Sequence, residues 1–224
     1  MELRSQAAIA CAVLMLAATA AAADDLRIEA RHPHLKGACK GTLVFGETGL
    51  AYESAKHRFS WPYEEIQKLE ISPDQARVTT YEDRRWRLGQ DREVRFTGSG
   101  FERAYPVLRE RLDQRLTANL ADDEVRPVWE APAKLSGLLG GPQGTLLFGE
   151  ERIVFRAGKR SRTWRLSDVE SISMSGPFDF TVATVSGPFR FQLKQPLSEA
   201  AYDGLWKRLH RYSTSLNHDS EGTH

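Results

Sequence analysis

The segment Gly41-Thr42-Leu43-Val44-Phe45-Gly46-Glu47 returns as Gly144-Thr145-Leu146-Leu147-Phe148-Gly149-Glu150, an offset of 103 residues (144 minus 41). At the same offset Leu50 meets Ile153, Tyr52 meets Phe155, Trp61 meets Trp164, Ile66 meets Val169 and Leu69 meets Ile172. The echo runs on to Trp86 against Phe189 and Leu88 against Phe191. Apolar register kept from residue 41 to residue 88 without a gap marks a duplicated structural unit. Farther along the offset falls to 97, where Ala104-Tyr105 matches Ala201-Tyr202 and Arg111-Leu112 matches Arg208-Leu209. The second copy is therefore expected to lack about six residues (103 minus 97) in the loop before its last element. A chain of 224 residues that repeats itself this way must fold as two units of about 100 residues each.

Each unit reads as short strands followed by one helix. Thr42–Phe45 and Leu50–Tyr52 are β-prone runs on either side of a Gly-Glu-Thr-Gly turn, a hairpin signature. Further strands are expected at His57–Trp61, around Ile66–Ile71, at Arg77–Tyr81 and at Arg84–Leu88. Close spacing of such runs suits a small antiparallel barrel or sandwich. The period then changes: Phe101, Ala104, Tyr105, Leu108, Leu112 and Leu116 fall three and four apart, an amphipathic helix that tolerates Pro106 in its first turn. In the second copy Ser198 stands as the N-cap of a helix carrying Ala201, Tyr202, Leu205, Leu209 and Tyr212.

The domain plan follows. Residues 1–23 carry Arg4, then an apolar run ending in small residues, the pattern of a cleaved secretory signal peptide; an uncleaved anchor helix is the alternative. The first repeat covers 24–118. A polar, acidic linker with two prolines covers 119–134, with Trp129 docked on one repeat. The second repeat covers 135–213, and 214–224 is expected to be a disordered tail. These segments place the protein outside the cytoplasm, periplasmic or secreted. Cys39 is the single thiol beyond the signal segment, so no internal disulfide is available and it is expected as a small buried hydrophobe.

The GTLxFGExGLxY hairpin over Gly41–Tyr52, the run Phe59-Ser60-Trp61-Pro62-Tyr63-Glu64-Glu65-Ile66, and Trp164-Arg165-Leu166-Ser167-Asp168-Val169 resemble the pleckstrin-homology-like superfold, closer to its GRAM and bacterial members. The resemblance spans both repeats. It implies a mainly β (α+β) fold: two tandem small antiparallel β-barrels, each closed by a C-terminal amphipathic helix. It also implies a domain that binds lipids, peptides or proteins and is rarely an enzyme, without assigning a ligand.

Lys and Arg number 31 against 30 Asp and Glu, so no global field draws the chain to nucleic acid or membrane. The local exception is Arg156, Lys159, Arg160, Arg162 and Arg165, crowded into one hairpin of the second repeat with no acid between them. On a strand, Arg160 and Arg162 share a face, a candidate contact for a phosphate, an anionic glycan or an acidic protein. The other reading is an ordinary solubilising hairpin tip. The aromatic-interleaved signature of an RNA-binding surface is missing, so nucleic acid is not an expected partner.

His32, His34 and Cys39 are possible metal ligands by residue type, and His32 and His34 would face the same way on an extended strand. Nothing supplies a third or fourth ligand at a metal-site spacing, so His32 and His34 are read as exposed histidines and no metal or cofactor is assigned. His210, His218 and His224 are read the same way, and Glu64-Glu65 and Asp122-Asp123 as solvated surface. No G-x-S-x-G elbow surrounds a serine, and Gly137–Gly144 lacks the Lys-Ser/Thr ending of a phosphate loop. Tyr52, Trp61, Trp86, Phe155, Trp164 and Phe189 fall at equivalent places and are read as core. The expectation is a non-catalytic exported binding or scaffold protein, its partner a protein or an anionic envelope component. A lipid or small-molecule carrier with a pocket at a barrel end, and an enzyme of unrecognised type, are the alternatives.

Overall fold

A computed structural model describes residues 25–34, 37–84, 87–137 and 140–219, without the side chains of 83–90 and 212–219. The segment read as a signal peptide lies outside them. The described residues are mainly β, a 15-stranded sheet with two α-helices.

The first repeat contributes β1 (Leu26–His34), β2 (Gly37–Phe45), β3 (Gly49–Ser54), β4 (Arg58–Pro62), β5 (Ile66–Ser72), β6 (Gln75–Arg84), β7 (Arg87–Gly98) and α1 (Tyr105–Arg111). β8 (Leu116–Ala118) follows, then β9 (Trp129–Leu135), β10 (Gln143–Phe148), β11 (Arg152–Arg156), β12 (Arg162–Arg165), β13 (Val169–Gly176), β14 (Asp179–Thr184), β15 (Gly187–Leu193) and α2 (Glu199–Asp219). In sheet order the first repeat reads β5-β6-β7-β1-β2-β3-β4 and the second β13-β14-β15-β9-β10-β11-β12. The duplication seen in the sequence is thus a duplication of strand order. Among the described residues no pairing joins the fourth strand to the fifth in either repeat.

Strand alternation builds two cores. Leu43, Phe45, Leu50, Tyr52, Trp61, Ile66, Leu69, Val78 and Phe96 face inward in the first repeat with Phe101 and Leu108. Leu146, Phe148, Ile153, Phe155, Trp164, Val169, Ile172, Val182 and Phe191 do so in the second, with Leu205 and Leu209 of α2. The repeated glycine at the head of the motif has a steric reason. A Cβ on Gly41 would stand 2.3 Å from the Glu53 carbonyl oxygen, and one on Gly144 2.0 Å from that of Arg156.

Four expectations change. The register aligns Val94 with Phe189 and Phe96 with Phe191, an offset of 95 (189 minus 94), because Val78 faces Val94 and Val182 faces Phe189. The deletion therefore lies within the β6–β7 hairpin and not after it. Trp86 lies outside the described residues. Second, the first helix stops at Arg111. Leu112 is already extended, Asp113 accepts the Arg115 backbone N–H in an Asx turn, and Leu116 enters β8. Third, residues 129–134 are not linker. They form β9, the counterpart of β1, with Trp129 stacked 4.5 Å from Phe148. Fourth, helix α2 continues to Asp219, beyond the expected start of a tail. Its N-cap is as read: Ser198 Oγ accepts the Ala201 N–H at 3.2 Å. No described helix is long and apolar enough to cross a membrane.

Candidate functional site

Two regions gather polar chemistry, and the first is the seam between the repeats. β8 is its stitch. It pairs in parallel with β5 of the first repeat through Leu69–Leu116 and Ile71–Ala118, and with β12 of the second through Ala118–Thr163. Thr163, Val154 and Leu147 stand opposite one another on the outer face of β12, β11 and β10, and all three are buried. Their counterparts Ser60, Ala51 and Val44 leave Ser60 exposed and Ala51 half-buried. The same face has become larger and more apolar in the copy that is covered. The linker crosses it: Thr163 Oγ1 donates to the Leu120 carbonyl at 2.9 Å and accepts the Asp122 N–H at 3.0 Å.

Asp122, expected as solvated surface, is the buried centre of this seam, only 5% exposed. Its carboxylate accepts from Arg152 Nη1 and from the Glu124 N–H. Arg165 closes the other side. It pairs with Asp168 at 2.6 Å and donates to the carbonyls of Arg109, Leu112 and Asp113. Those are carbonyls of the last turn of α1 and the turn after it, where a helix leaves acceptors unsatisfied. Burial raises the pKa of Asp168 despite the neighbouring Arg165. Burial also pushes up Asp113, but hydrogen bonds from Arg115 outweigh it and hold that carboxyl below its ordinary range. Tyr105 is buried here with no hydrogen-bond partner for its hydroxyl among the described residues, and burial pushes its pKa up to about 12.

The five cations read as one cluster therefore divide. Arg165 is committed to α1 and Asp168. Arg162 lies 4.8 Å over the Phe189 ring; burial lowers its pKa, while Glu70 of the first repeat acts the other way. Arg156 faces Asp123 at 3.8 Å. Lys159 and Arg160 stand exposed, on a 3-10 turn, Gly158–Arg160, at the hairpin tip. The crevice beside Arg162 and Phe189 holds about 30 Å³, room for little more than a water molecule.

The second region is a corner of the first repeat. His32 and Cys39 face each other across β1 and β2. His34 Nε2 lies 3.1 Å from Cys39 Sγ. The β3–β4 turn adds His57, whose backbone is clamped by Ser54: Ser54 Oγ donates to the His57 carbonyl at 2.9 Å and accepts its N–H at 3.0 Å. Ligand atoms of His34, Cys39 and His57 all lie within 4.8 Å of one another. Tyr52 donates to the Cys39 carbonyl at 2.8 Å from the core side. His32 lies 5.7 Å from His57, ring to ring, and 5.3 Å from Phe59. Cys39 is buried as expected, but His32 and His34 are half-buried and not open surface. The residue that sequence spacing missed is His57. It comes 18 positions after Cys39 (57 minus 39), and only the strand pairing of β2 with β3 and β3 with β4 brings it near.

Comparison against known protein families finds no matching family, and comparison against curated proteins finds no match. Among solved structures, the Spt16D Pob3N heterodimer is similar with a TM-score of 0.29 and 13% identity, covering 76% of this chain and 97% of that one.

Proposed function

We propose that the protein is a non-catalytic binding protein acting outside the cytoplasm, in which two pleckstrin-homology-like repeats present one rigid surface to a protein or an anionic envelope component. Support for the repeat type is the seven-strand order, repeated in full and followed each time by a helix. The observation that carries the functional reading is the seam. β8, Asp122–Arg152 and Arg165 fix the repeats to each other, so a composite surface is preorganised and ordering it costs little on binding. Within that surface Lys159 and Arg160 project at the hairpin tip, free of the pairing that engages Arg156, Arg162 and Arg165. Exposed cations of this kind act on anions over about 10 Å at moderate salt.

The test is flotation with anionic and neutral vesicles at low and high salt, beside cross-linking in an envelope extract. Salt-sensitive retention on anionic vesicles that Lys159→Ala/Arg160→Ala loses supports an anionic surface as partner. A single saturable cross-linked protein, unaffected by vesicles, supports a protein partner. Neither retention nor a cross-linked partner, or a small molecule co-purifying one to one in native mass spectrometry, overturns the proposal, the last in favour of a carrier.

A further inference from the structure

The fold is built twice, and the two copies differ at one corner in a telling way. At an offset of 103, His32, His34, Cys39 and His57 correspond to Leu135, Gly137, Pro142 and Arg160. The second repeat assembles the same β9-β10-β11-β12 ladder without one histidine or cysteine at these places. The architecture does not need them. Yet the first repeat brings a buried thiol and two imidazoles together from three separate segments, β1, β2 and the β3–β4 turn.

We infer that this corner is a binding site for a d¹⁰ cation that takes thiolate and imidazole ligands, Zn²⁺ or Cu⁺, held by Cys39 Sγ and the imidazoles of His34 and His57. The donor set argues for the class: one sulfur and two imidazoles with no carboxylate suit zinc or copper and not calcium or magnesium. Distances agree. Ligand atoms bound at about 2.0–2.3 Å around a tetrahedral ion stand roughly 3.3–3.8 Å apart. Closing from 4.8 Å or less needs a movement of about 1 Å, within the reach of imidazole rotation. The thiol sits in a fixed place, since Tyr52 holds its backbone carbonyl and the β1–β2 ladder its strand. Ser54 fixes the turn that carries His57.

His32 flanks the three ligands, its ring 5.7 Å from that of His57 and 6.4 Å from that of His34. Its Nδ1 lies 3.2 Å from the Arg95 carbonyl oxygen. A carbonyl only accepts, so Nδ1 is the donor in this contact. A second hydrogen bond that fixes the tautomer is the usual support of a metal-binding imidazole. Phe59 backs the site, its ring parallel to that of His57 and edge-on to that of His32. The site lies in the first repeat alone, so it stands independently of what the composite surface binds.

The experiment uses the purified full chain, reduced and stripped with chelator. It is titrated with ZnCl₂ by calorimetry, and with Cu⁺ in competition with bicinchoninate. One ion per chain is expected, at micromolar affinity or tighter, with the preferred ion identified by the arm that binds more strongly. Saturation at about a hundredfold excess over Kd raises the melting temperature by about 5–10 °C. Co²⁺ added in place of either ion gives a thiolate-to-cobalt charge-transfer band. Cys39→Ser abolishes the band, and both Cys39→Ser and His57→Gln weaken binding more than about tenfold. His57 lies half-exposed on a turn, so His57→Gln carries the test should Cys39→Ser fail to fold. Two results overturn the inference: no binding tighter than about 100 μM by either ion, or binding that the variants retain, as it would be through the histidines of the C-terminal segment.

Discussion

Replacing Asp122 by Ala strikes the point where linker, first repeat and second repeat meet. The carboxylate is 5% exposed, and its partner Arg152 has a side chain 15% exposed. Once Asp122 is gone, Arg152 keeps, among the described residues, only the ion pair with Glu151, 3.9 Å away with a side chain 64% exposed. Removing one member of a buried pair costs about 3–5 kcal/mol, because a charge stays behind without its counter-ion. Residual solvent at Arg152 puts the expected loss at the low end, about 3 kcal/mol. At a urea slope of roughly 2.5 kcal/mol/M for a chain of this size, the midpoint falls by about 1.2 M. Arg152→Ala and the double variant complete a thermodynamic cycle, with an expected coupling of about 2 kcal/mol. Tryptophan fluorescence adds a second readout, since Trp61 lies in the first core and Trp164 in the second. Their transitions coincide in the parent and separate in Asp122→Ala. A loss below about 1 kcal/mol with no coupling, the behaviour of a solvent-exposed pair, would refute the reasoning.

Three further outcomes are expected. Tyr105 holds its proton up to about pH 12 in the folded chain but releases it near 10.0 when unfolded; stability therefore falls as pH rises through that window, by roughly 2–3 kcal/mol. Tyr105→Phe removes a buried hydroxyl without a partner, so it is neutral or stabilising by up to about 1 kcal/mol at pH 7, and its urea midpoint no longer carries that alkaline loss. Gly144→Ala drives a Cβ into the Arg156 carbonyl oxygen and costs more than about 2 kcal/mol in chemical denaturation, as does Gly41→Ala at the matching place. Arg165→Lys keeps the charge but loses the planar fork that serves three carbonyls and Asp168; it costs about 1–2 kcal/mol and lowers hydrogen-exchange protection at the end of α1.

Tyr52, Trp61, Phe155 and Trp164 are buried as their equivalence predicts. The position of the deletion was not legible, because moving from an offset of 103 to one of 95 is an even shift. An even shift leaves the inward–outward alternation of a strand untouched, so Leu88 fits opposite Phe191 in pattern as well as Phe96 does in fact. The basic run looked like one cluster because five cations are near in sequence. They stand on a strand, a turn and a second strand, and Arg156, Arg162 and Arg165 each meet a different partner.

Local pattern determined the duplication, the strand-rich units, the helix after each and the Ser198 cap, since all depend on residues a few positions apart. The pairing of β8 with both repeats, the burial of Asp122, the docking of Arg165 on α1 and the approach of His57 to Cys39 were decided only in three dimensions. One sequence-level trace of the seam exists, the change from Ala51 and Ser60 to the larger Val154 and Thr163. It gains meaning only when β10, β11 and β12 place Leu147, Val154 and Thr163 on one face. Such contacts join segments tens of residues apart, and hydrophobic periodicity records which side of a strand is buried but not what buries it.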